Sequence, residues 1–286
     1  MSINRPEWIR AAHELLAFYI DAGVDVAISE TSIDRFAGMS VSEAGPLDAD
    51  PRPIAPEARE HAVAPRTLRP QPATDRPASM AAAPTAPEAA LMAARETARR
   101  ADTLEALRGL MEIFEGCALK TTAKRLVFAD GNPKARVMFV GEAPGREEDL
   151  EGLPFVGRAG QLLNRMMAAI ELDRGSAYIA NIIPWRPPGN RTPTPQEAAI
   201  CLPFILRQIE LADPDILVCL GGPSAMALLG VKDGILKTRG RWFSYQTGRR
   251  EIRAIATLHP AYLLRQPLQK RLAWRDFLAI RRALAN

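Results

Sequence analysis

The sequence predicts an α/β fold in which helices cover both faces of a mostly parallel, four-stranded sheet. The prediction depends on two observations: four short apolar runs are typical of strands, and segments with helical spacing lie between them. The strand candidates are Val137–Val140, Tyr178–Ile183, Ile216–Leu220 and Ile252–Thr257. Strands that alternate with helices pair in parallel, and such sheets are buried on both faces.

Five helices are predicted around these strands. The first precedes the sheet, where ETARRADTLEALRGLMEIFEG (residues 96–116) reads as one helix of about twenty residues. Thr194 is a suitable N-cap for a later helix, because its hydroxyl can accept a hydrogen bond from the first turn, where Pro195 is well tolerated. The remaining helices are predicted at Ala159–Ile170, Thr194–Leu211, Pro223–Leu229 and Gln269–Ala285.

Two further parts precede the predicted domain, which extends over residues 93–286. Residues 41–92 are predicted to be a disordered linker, since ten prolines lie between Pro46 and Pro87 among alanine, arginine and acidic residues. Such a composition buries too little apolar area to offset the entropy lost on ordering. Residues 1–40 are predicted to be a helical segment, because apolar residues recur there at three- and four-residue spacing: Ile9, Leu15, Leu16, Tyr19 and Ile20.

Charge is distributed unevenly along the chain, although the net charge is only +4. Residues 1–92 carry eight arginines, no lysine and 13 carboxylates, a net of −5, so residues 93–286 carry a net of +9. A basic domain suits a polyanionic partner such as nucleic acid. An ordinary basic surface explains the same charge equally well.

Three features indicate a cytoplasmic protein. No apolar run approaches the roughly 20 residues that a membrane span requires. The N-terminus, MSINRPEWIR, lacks the basic-then-apolar order of a signal peptide. The three cysteines, Cys117, Cys201 and Cys219, include no CxxC pair, so a disulfide framework is not expected.

The candidate ligand site lies in the loops after the strands, because ligands of such sheets bind beyond the carboxyl ends of the strands. The first loop, GEAPGREEDLEGLPFVG (residues 141–157), contains a single base, Arg146. A phosphate-binding loop would rely on backbone amides and lysine, so this loop is not typical of phosphate binding. Its five carboxylates are Glu142, Glu147, Glu148, Asp149 and Glu151.

The other loops add an imidazole, an amide and arginines. His259 is the only histidine in residues 93–286; a lone histidine is more often structural, but its position after the last strand favours function. Asn181, near a strand end, can equally be a turn or cap residue. Phe155 by itself would be interpreted as core. Arg186 and Arg191 flank a turn that is either simply solvated or in contact with phosphate.

Three motifs, taken in order, resemble those of the family 4 uracil-DNA glycosylases. They are GEAPGREEDLEGLPFVGRAGQLL, then YIAN with RPPGNRTPTPQE, and finally LHPAYLLRQP. The likeness covers about residues 110–285 and leaves roughly the first 90 residues outside it. It implies a three-layer α/β/α sandwich that flips uracil out of DNA and hydrolyses its N-glycosidic bond, leaving an abasic site and so initiating base excision repair.

The resemblance also implies catalytic roles. Positive charge develops on the deoxyribose as the bond breaks, so carboxylates beside the sugar stabilise this charge and orient the attacking water. Glu142 and Glu148 match the catalytic carboxylates of the family, and Glu148 is favoured for positioning the water. His259 is expected to donate a hydrogen bond to the departing uracil, whose ring oxygens become negative.

Base and DNA contacts follow from the same resemblance. Gly141 is expected to line the pocket floor, Phe155 to stack on the flipped ring and Asn181 to read the uracil edge. Leu263 and Leu264 are candidates for a wedge that fills the vacated stack, although a position in a helix core explains them equally well. The remaining expected DNA contacts are Arg186, Asn190, Arg191 and Arg265.

The chain departs from this family at the iron-sulfur cluster. Family 4 enzymes usually hold a 4Fe-4S cluster with four cysteine ligands, and this chain matches two of them, Cys117 and Cys201. Phe114 and Trp185 stand at the other two positions. Because two thiolates cannot hold such a cluster, no cofactor is expected, and both aromatic rings are predicted to pack in its place. Cys219 is interpreted as a buried core thiol.

The residues of the four loops also bear on alternative activities. No lysine lies in the four loops, so a Schiff-base lyase step is disfavoured, as is a small-molecule enzyme with a phosphate-bearing substrate. RPPGNRTPTP lacks a histidine for covalent capture of the sugar. The missing cluster ligands leave open a catalytically impaired protein that binds uracil or abasic DNA on the same fold. A monomer is expected, with a repair or replication protein as the candidate partner of residues 1–92.

Overall fold

A mixed sheet of six strands lies at the centre of the computed structural model, which describes residues 86–285. The strand order is β1-β3-β2-β4-β6-β5. The predictions for residues 1–40 and for most of the linker at 41–92 concern residues outside the described part of the chain. The strands are β1 (Asp130–Gly131), β2 (Val137–Gly141), β3 (Ala177–Asn181), β4 (Ile216–Leu220), β5 (Trp242–Gln246) and β6 (Glu251–Thr257).

The four inner strands confirm the predicted parallel sheet. Strands β3, β2, β4 and β6 are parallel neighbours, and the first three are buried along their whole length. The predicted number of four strands is wrong, because β1 and β5 add an antiparallel strand at each edge. Neither edge strand has the continuous apolar run of a strand buried on both faces: β1 has two residues, and β5 is mostly exposed.

Helices lie before, between and after these strands. None of those in the described residues is long and apolar enough to cross a membrane. Short 3-10 turns lie at Pro188–Asn190 and Pro267–Gln269. The α-helices are α1 (Ala86–Arg99), α2 (Leu104–Ile113), α3 (Leu119–Thr122), α4 (Arg146–Glu151), α5 (Arg158–Ala168), α6 (Pro195–Ala212), α7 (Gly222–Leu229), α8 (Ile235–Thr238), α9 (Pro260–Arg265) and α10 (Lys270–Ala285).

The sheet separates two apolar cores, as a three-layer sandwich requires. On β2, Met138 and Val140 belong to the core shared with α1, α2, α6 and α7, whereas Val137 and Phe139 belong to the core shared with α5 and α10. This period of two follows from strand geometry, which points successive side chains to opposite faces. Phe139 stacks on Phe277 of α10 with ring centroids 5.9 Å apart, so the C-terminal helix is anchored at the centre of the sheet.

The single helix predicted over residues 96–116 is wrong, because the structure divides this region into α1 and α2. Thr103 is the N-cap of α2, and its hydroxyl accepts a hydrogen bond from the N–H of Ala106 at 3.1 Å. Sequence reasoning overlooked this cap because helix-forming residues continue on both sides of it. The predicted linker is also too long, since α1 begins at Ala86 and buries Ala94 in the core beside α6.

The start of α6 agrees with its prediction. The hydroxyl of Thr194 accepts a hydrogen bond from the N–H of Glu197 at 3.2 Å, and the Glu197 carboxylate accepts one from the N–H of Thr194 at 2.7 Å. Pro195 occupies the first turn of the helix. This reciprocal pair of bonds fixes where the loop after β3 ends.

Pairing at the carboxyl ends of the inner strands positions the candidate site. Gly141, the last residue of β2, is the register partner of Asn181, the last residue of β3. Leu220 of β4 pairs with Thr257 of β6 in the same way. The four loops identified in the sequence therefore start at the same end of the sheet, beyond the carboxyl ends of its inner strands, where ligands of α/β proteins bind.

Candidate active site

A cavity of about 610 Å³ opens at the carboxyl ends of the inner strands. All four loops that follow the inner strands contribute to its walls. The structure therefore brings together side chains that are far apart in the sequence. The predicted site residues that line the cavity are Glu142, Glu148, Phe155, Asn181, Asn190, Arg191, His259 and Arg265.

Gly141 lies directly against Asn181 and Phe155, in a space that admits no side chain. A Cβ atom on Gly141 would overlap the Oδ1 atom of Asn181 and would lie 2.6 Å from Cζ of Phe155. Non-bonded atoms do not approach this closely, so any larger residue would displace the amide or the ring. Glycine is therefore required where β2 enters its loop.

Phe155 combines a buried ring with a strained backbone. Its φ angle is 56°, in the left-handed region that residues with side chains rarely adopt. The residue is 5% exposed, and its ring centroid lies 5.6 Å from that of His259, with the two planes tilted by 33°. Strain of this kind persists only where surrounding contacts enforce it, and it is commonly found at ligand sites.

The side-chain oxygen of Asn181 is buried without a hydrogen-bond partner among the described residues. Asn181 is 5% exposed, so water has little access to this oxygen. An unsatisfied buried acceptor costs about 1–3 kcal/mol, and most buried polar atoms in proteins are paired. The orphaned oxygen is therefore available to accept a hydrogen bond from a ligand that carries an N–H group.

His259 caps helix α9 through one ring nitrogen and leaves the other for a ligand. Its Nδ1 accepts a hydrogen bond from the N–H of Ala261 at 3.1 Å, so the proton of the neutral ring lies on Nε2. Burial, aided by the charge of Arg265 and opposed by that of Glu148, lowers the pKa of His259 to about 4. The imidazole is therefore neutral at physiological pH and carries a donor at Nε2.

Both carboxylate oxygens of Glu148 are bound by the backbone of its own loop. Oε2 accepts a hydrogen bond from the N–H of Gly145 at 3.0 Å, and Oε1 accepts from Val156 and Gly157 at 3.1 and 3.0 Å. Glu148 is 8% exposed. Three such bonds brace the loop at both ends and leave little capacity to orient a water molecule. These contacts do not favour the predicted water-positioning role of Glu148.

Glu142 lies in a different environment. It directly follows Gly141, is half-buried and lines the cavity. Its carboxylate has no side-chain hydrogen bond or ion pair with any residue in the described range 86–285. Burial raises the pKa of Glu142, as is typical of a carboxylate that acts as a base. Of the two predicted catalytic carboxylates, Glu142 is the one whose oxygens are available to water.

Of the polar residues predicted to contact DNA, Asn190, Arg191 and Arg265 line the cavity, whereas Arg186 lies beside Asn190 and does not. Arg186 donates a hydrogen bond to Oδ1 of Asn190 at 2.7 Å. Arg191 forms two hydrogen bonds with the carboxylate of Glu197, at 2.6 and 2.8 Å, and thereby joins the capping box of α6. Arg265 is exposed at the end of α9. These contacts order the side chains of Arg186 and Arg191, so less side-chain entropy would be lost if a ligand bound them.

The two leucines predicted as a wedge differ in exposure. Leu263 is 1% exposed and packs with Leu258 and Ala273, which favours the helix-core alternative for this residue. Leu264 is 36% exposed. Leu268, in the turn that follows α9, is 85% exposed, the highest value among the large apolar side chains of the described residues. Sequence reasoning missed Leu268 because it considered only the leucines close to His259.

Other residues that line the cavity were also absent from the sequence prediction. Tyr262 lies three residues after His259, one helical turn further along α9, and that spacing could have identified it. Ile235 of α8 also lines the cavity, but no pattern in the sequence shows that α8 lies beside the loop of His259.

The four positions that correspond to the family's cluster ligands meet in one buried core. The sulfur atoms of Cys117 and Cys201 lie 3.7 Å apart. The rings of Phe114 and Trp185 are stacked with centroids 6.5 Å apart, and Phe114 meets Phe204 edge-on at 5.0 Å. Aromatic rings therefore fill the space beside the two thiols.

These residues do not fit a 4Fe-4S cluster. Such a cluster needs four thiolate ligands, whereas only two of the four positions, Cys117 and Cys201, carry a thiol. Within residues 86–285, no group of three or more His, Cys, Asp or Glu residues could hold a metal ion. Cys219 is fully buried on β4, and burial raises its pKa to about 12, as expected for a core thiol.

Residues 128–278 match the uracil DNA glycosylase superfamily, so the fold and the cavity belong to a known class of protein. The chain is 42% identical over 155 residues to the type-4 uracil-DNA glycosylase of Archaeoglobus fulgidus, covering 53% of this chain and 78% of that protein. It is 41% identical over 167 residues to the type-4 enzyme of Thermotoga maritima, with 58% and 85% covered. It is 37% identical over 190 residues to that of Saccharolobus solfataricus, with 65% and 88% covered. The chain belongs to the type-4 uracil-DNA glycosylase family.

Proposed function

We propose that the protein is a monofunctional uracil-DNA glycosylase, which flips uracil out of DNA and hydrolyses its N-glycosidic bond to leave an abasic site. The observation that carries this proposal is the orphaned oxygen of Asn181, which lies against Gly141 beside the ring of Phe155. Family membership supports the same activity, since the type-4 relatives are named for it. The reaction is the first step of base excision repair.

Base recognition follows from the amide of Asn181. Uracil carries an N–H group at ring position 3, which can donate to the buried Oδ1 atom, whereas cytosine carries a bare nitrogen at that position. With cytosine, two acceptors would face each other and both would remain unsatisfied. Sites built on buried hydrogen bonds reject such analogues strongly. Phe155 supplies the flat surface on which the flipped ring stacks, and Gly141 allows the ring to approach the backbone closely.

His259 stabilises the leaving group. As the glycosidic bond breaks, negative charge develops on the oxygens of the departing uracil, and the Nε2–H of His259 donates a hydrogen bond to one of them. A donor held in advance at the position where charge develops contributes about 10²–10³ in rate. Because Ala261 holds Nδ1 as an acceptor, the ring does not need to change tautomer during the reaction.

Glu142 positions the water molecule and stabilises the sugar. Positive charge develops on the deoxyribose in an oxocarbenium-like transition state, and a nearby carboxylate lowers its energy. The ionised Glu142 can also accept a proton from the attacking water. Glu148 acts differently: its three backbone hydrogen bonds hold the loop that carries Glu142 and Phe155 in one conformation.

DNA is held by the cationic rim and opened by an apolar side chain. Arg186, Arg191 and Arg265 supply positive charge for backbone phosphates, and Asn190 extends the same rim. Leu264 and Leu268 are the exposed apolar side chains next to Arg265. An apolar side chain that enters the base stack keeps the target base out of the helix. The protein is proposed to do this as a monomer on chromosomal DNA in the cytoplasm.

The protein is further proposed to work without an iron-sulfur cluster. The rings of Phe114 and Trp185 share one buried core with Cys117 and Cys201, and Phe114 also meets Phe204 of α6, so aromatic contacts join α6 to the loop after β3. Iron analysis of protein purified under anaerobic conditions tests this proposal. About four irons per chain, with absorbance near 400 nm, would overturn it.

Excision is tested with oligonucleotides that contain a single uracil, in single- and double-stranded form. We expect the purified protein to release uracil and to leave a site that breaks on treatment with alkali, but not without it. Matched strands with cytosine or thymine are the controls. A retarded but intact strand would instead indicate a DNA-binding protein without turnover, and spontaneous breaks would indicate a lyase step.

A further inference from the structure

The side chain of Arg174, in the loop between α5 and β3, binds the segment that carries Phe155. Its guanidinium donates hydrogen bonds to the backbone oxygen of Phe155 and to that of Pro154, the latter at 3.1 Å. Its Nε donates to Oδ1 of Asn164 at 3.0 Å, and Asp130 of β1 supplies a counter-ion. One planar cation thus joins an edge strand, helix α5 and two consecutive peptide oxygens.

Phe155 needs such contacts because its backbone is in a rarely populated conformation. A φ angle of 56° is unfavourable for a residue with a bulky side chain. Helix α5 confines the same peptide from another side: a Cβ atom on Gly160 would overlap the backbone oxygen of Phe155. The peptide oxygen is therefore held between a helix that touches it and a guanidinium that binds it.

The backbone of Phe155 determines where its ring lies. The ring lies directly against Gly141, and its centroid is 5.6 Å from that of the His259 imidazole. A rotation of the strained peptide would move the ring away from both. Arg174 does not itself line the cavity, so any effect on the base must pass through Phe155.

We infer that Arg174 is a positioning residue for base recognition: its guanidinium holds Phe155 in the conformation in which the ring can stack on a flipped base. This inference rests on the proposed uracil-excising function. The planar fork is essential to it, because a single ammonium group cannot reach two peptide oxygens and Asn164 together. Arg174→Lys should therefore resemble Arg174→Ala rather than the wild type.

A double-mutant cycle with Phe155 tests the inference. Excision is measured in single-turnover conditions for the wild type, Arg174→Ala, Phe155→Ala and the double variant. Base flipping is measured separately, from the fluorescence of 2-aminopurine beside the uracil. Arg136→Ala is the matched control, because Arg136 likewise joins a carboxylate, Asp215, and a peptide oxygen, that of Leu284. It lies at the amino ends of β2 and β4, whereas the cavity opens at the carboxyl ends of the strands.

We expect Arg174→Ala and Arg174→Lys to lose about 10- to 100-fold in excision rate and to reduce the fluorescence change, while Arg136→Ala stays within about 2-fold of the wild type. In the Phe155→Ala background, Arg174→Ala should cost less than about 3-fold more. Thermal melting identifies variants that are unfolded at the assay temperature, and those are measured at lower temperature.

Three results would overturn the inference. They are additive losses in the cycle, an Arg174→Ala variant that excises and flips as the wild type does, and equal losses in Arg136→Ala. An inactive wild-type protein would instead refute the proposed function. The fluorescence comparison does not require bond cleavage, so it would still decide on Arg174 in that case.

Discussion

The imidazole of His259 and the ring of Phe155 lie side by side, with centroids 5.6 Å apart, although they come from loops more than 100 residues apart in the sequence. One ring carries the proposed donor to the leaving group and the other provides the proposed stacking surface. Both rings are held in place by the protein itself, Phe155 by its backbone contacts and His259 by its cap on α9. Preorganisation of this kind reduces the reorganisation required during the reaction and is a major source of catalytic rate.

Replacing His259 should lower the rate of excision while DNA binding persists. We expect His259→Ala to lose about 10²–10³ in single-turnover rate, because the donor to the departing base is lost. His259→Ser serves as the matched variant, since serine can still cap α9 but cannot reach the base. If His259→Ser restored the rate, capping rather than leaving-group stabilisation would explain the effect of the alanine variant.

The pH dependence of excision should report on Glu142. Burial raises its pKa above the ordinary 4.5, so the rate should fall as the pH falls through this raised value and should level off above it, where the carboxylate is ionised. Glu142→Gln should lower the plateau and remove the acidic fall. The measurement is kcat/KM between about pH 4.5 and 8. An unchanged acidic fall in Glu142→Gln would assign the ionisation to another group.

Asn181→Ala should separate activity from stability. The orphaned Oδ1 atom loses no protein hydrogen bond when it is removed, so the melting temperature should not fall on that account. Excision should fall by about 10-fold or more, because the uracil N–H then lacks its acceptor. Melting curves and single-turnover rates on the same preparation check both statements. A large loss of stability with unchanged excision would contradict the proposed role in recognition.

Gly141→Ala should abolish most activity through sterics alone. The added methyl group would overlap the amide of Asn181 and the ring of Phe155, and displacements of about 1 Å at such positions can cost 10²-fold in rate. Gly109→Ala is the control, since Gly109 lies in α2 with no atom within 4 Å of the new Cβ. It should stabilise the helix by roughly 0.5–1 kcal/mol and leave excision unchanged.

The three leucines after His259 should fall into two groups. Leu263→Ala should destabilise the fold by about 2–5 kcal/mol, because a buried side chain is removed. Leu264→Ala and Leu268→Ala should barely affect stability but should slow excision from duplex more than from single-stranded DNA, where no stack has to be filled. Urea unfolding and parallel excision assays test this division. Equal effects on both substrates would exclude a wedge role for either exposed leucine.

Much of the sheet could be predicted because each inner strand contains an unbroken run of apolar residues. Strands buried on both faces read as unbroken apolar runs, and Val137–Val140 is such a run. The edge strands lack such a run; β1, for example, has only two residues and is defined by its pairing with β3. The cap at Thr103 was overlooked because helix-forming residues occur on both sides of it.

The site was predictable as a set of loops but not as a set of contacts. Because loops that follow parallel strands meet at one end of the sheet, the sequence is sufficient to predict that Gly141, Asn181 and His259 lie near one another. It does not show that Glu148 binds three peptide N–H groups, or that the inner face of α9 receives Leu263 and not Leu264. Such outcomes depend on side-chain direction and on neighbours distant in sequence.

The register pairing of Gly141 with Asn181 has a consequence for protein engineering. Both residues belong to a ladder of parallel strands, so their relative position is set by backbone pairing, and a slip of one residue would turn Asn181 to the other face. The rim arginines and exposed leucines lie instead on loops, on the short helix α9 and on the turn that follows it. Changes there should alter the choice of DNA form without altering the choice of base, so the two preferences can be redesigned independently.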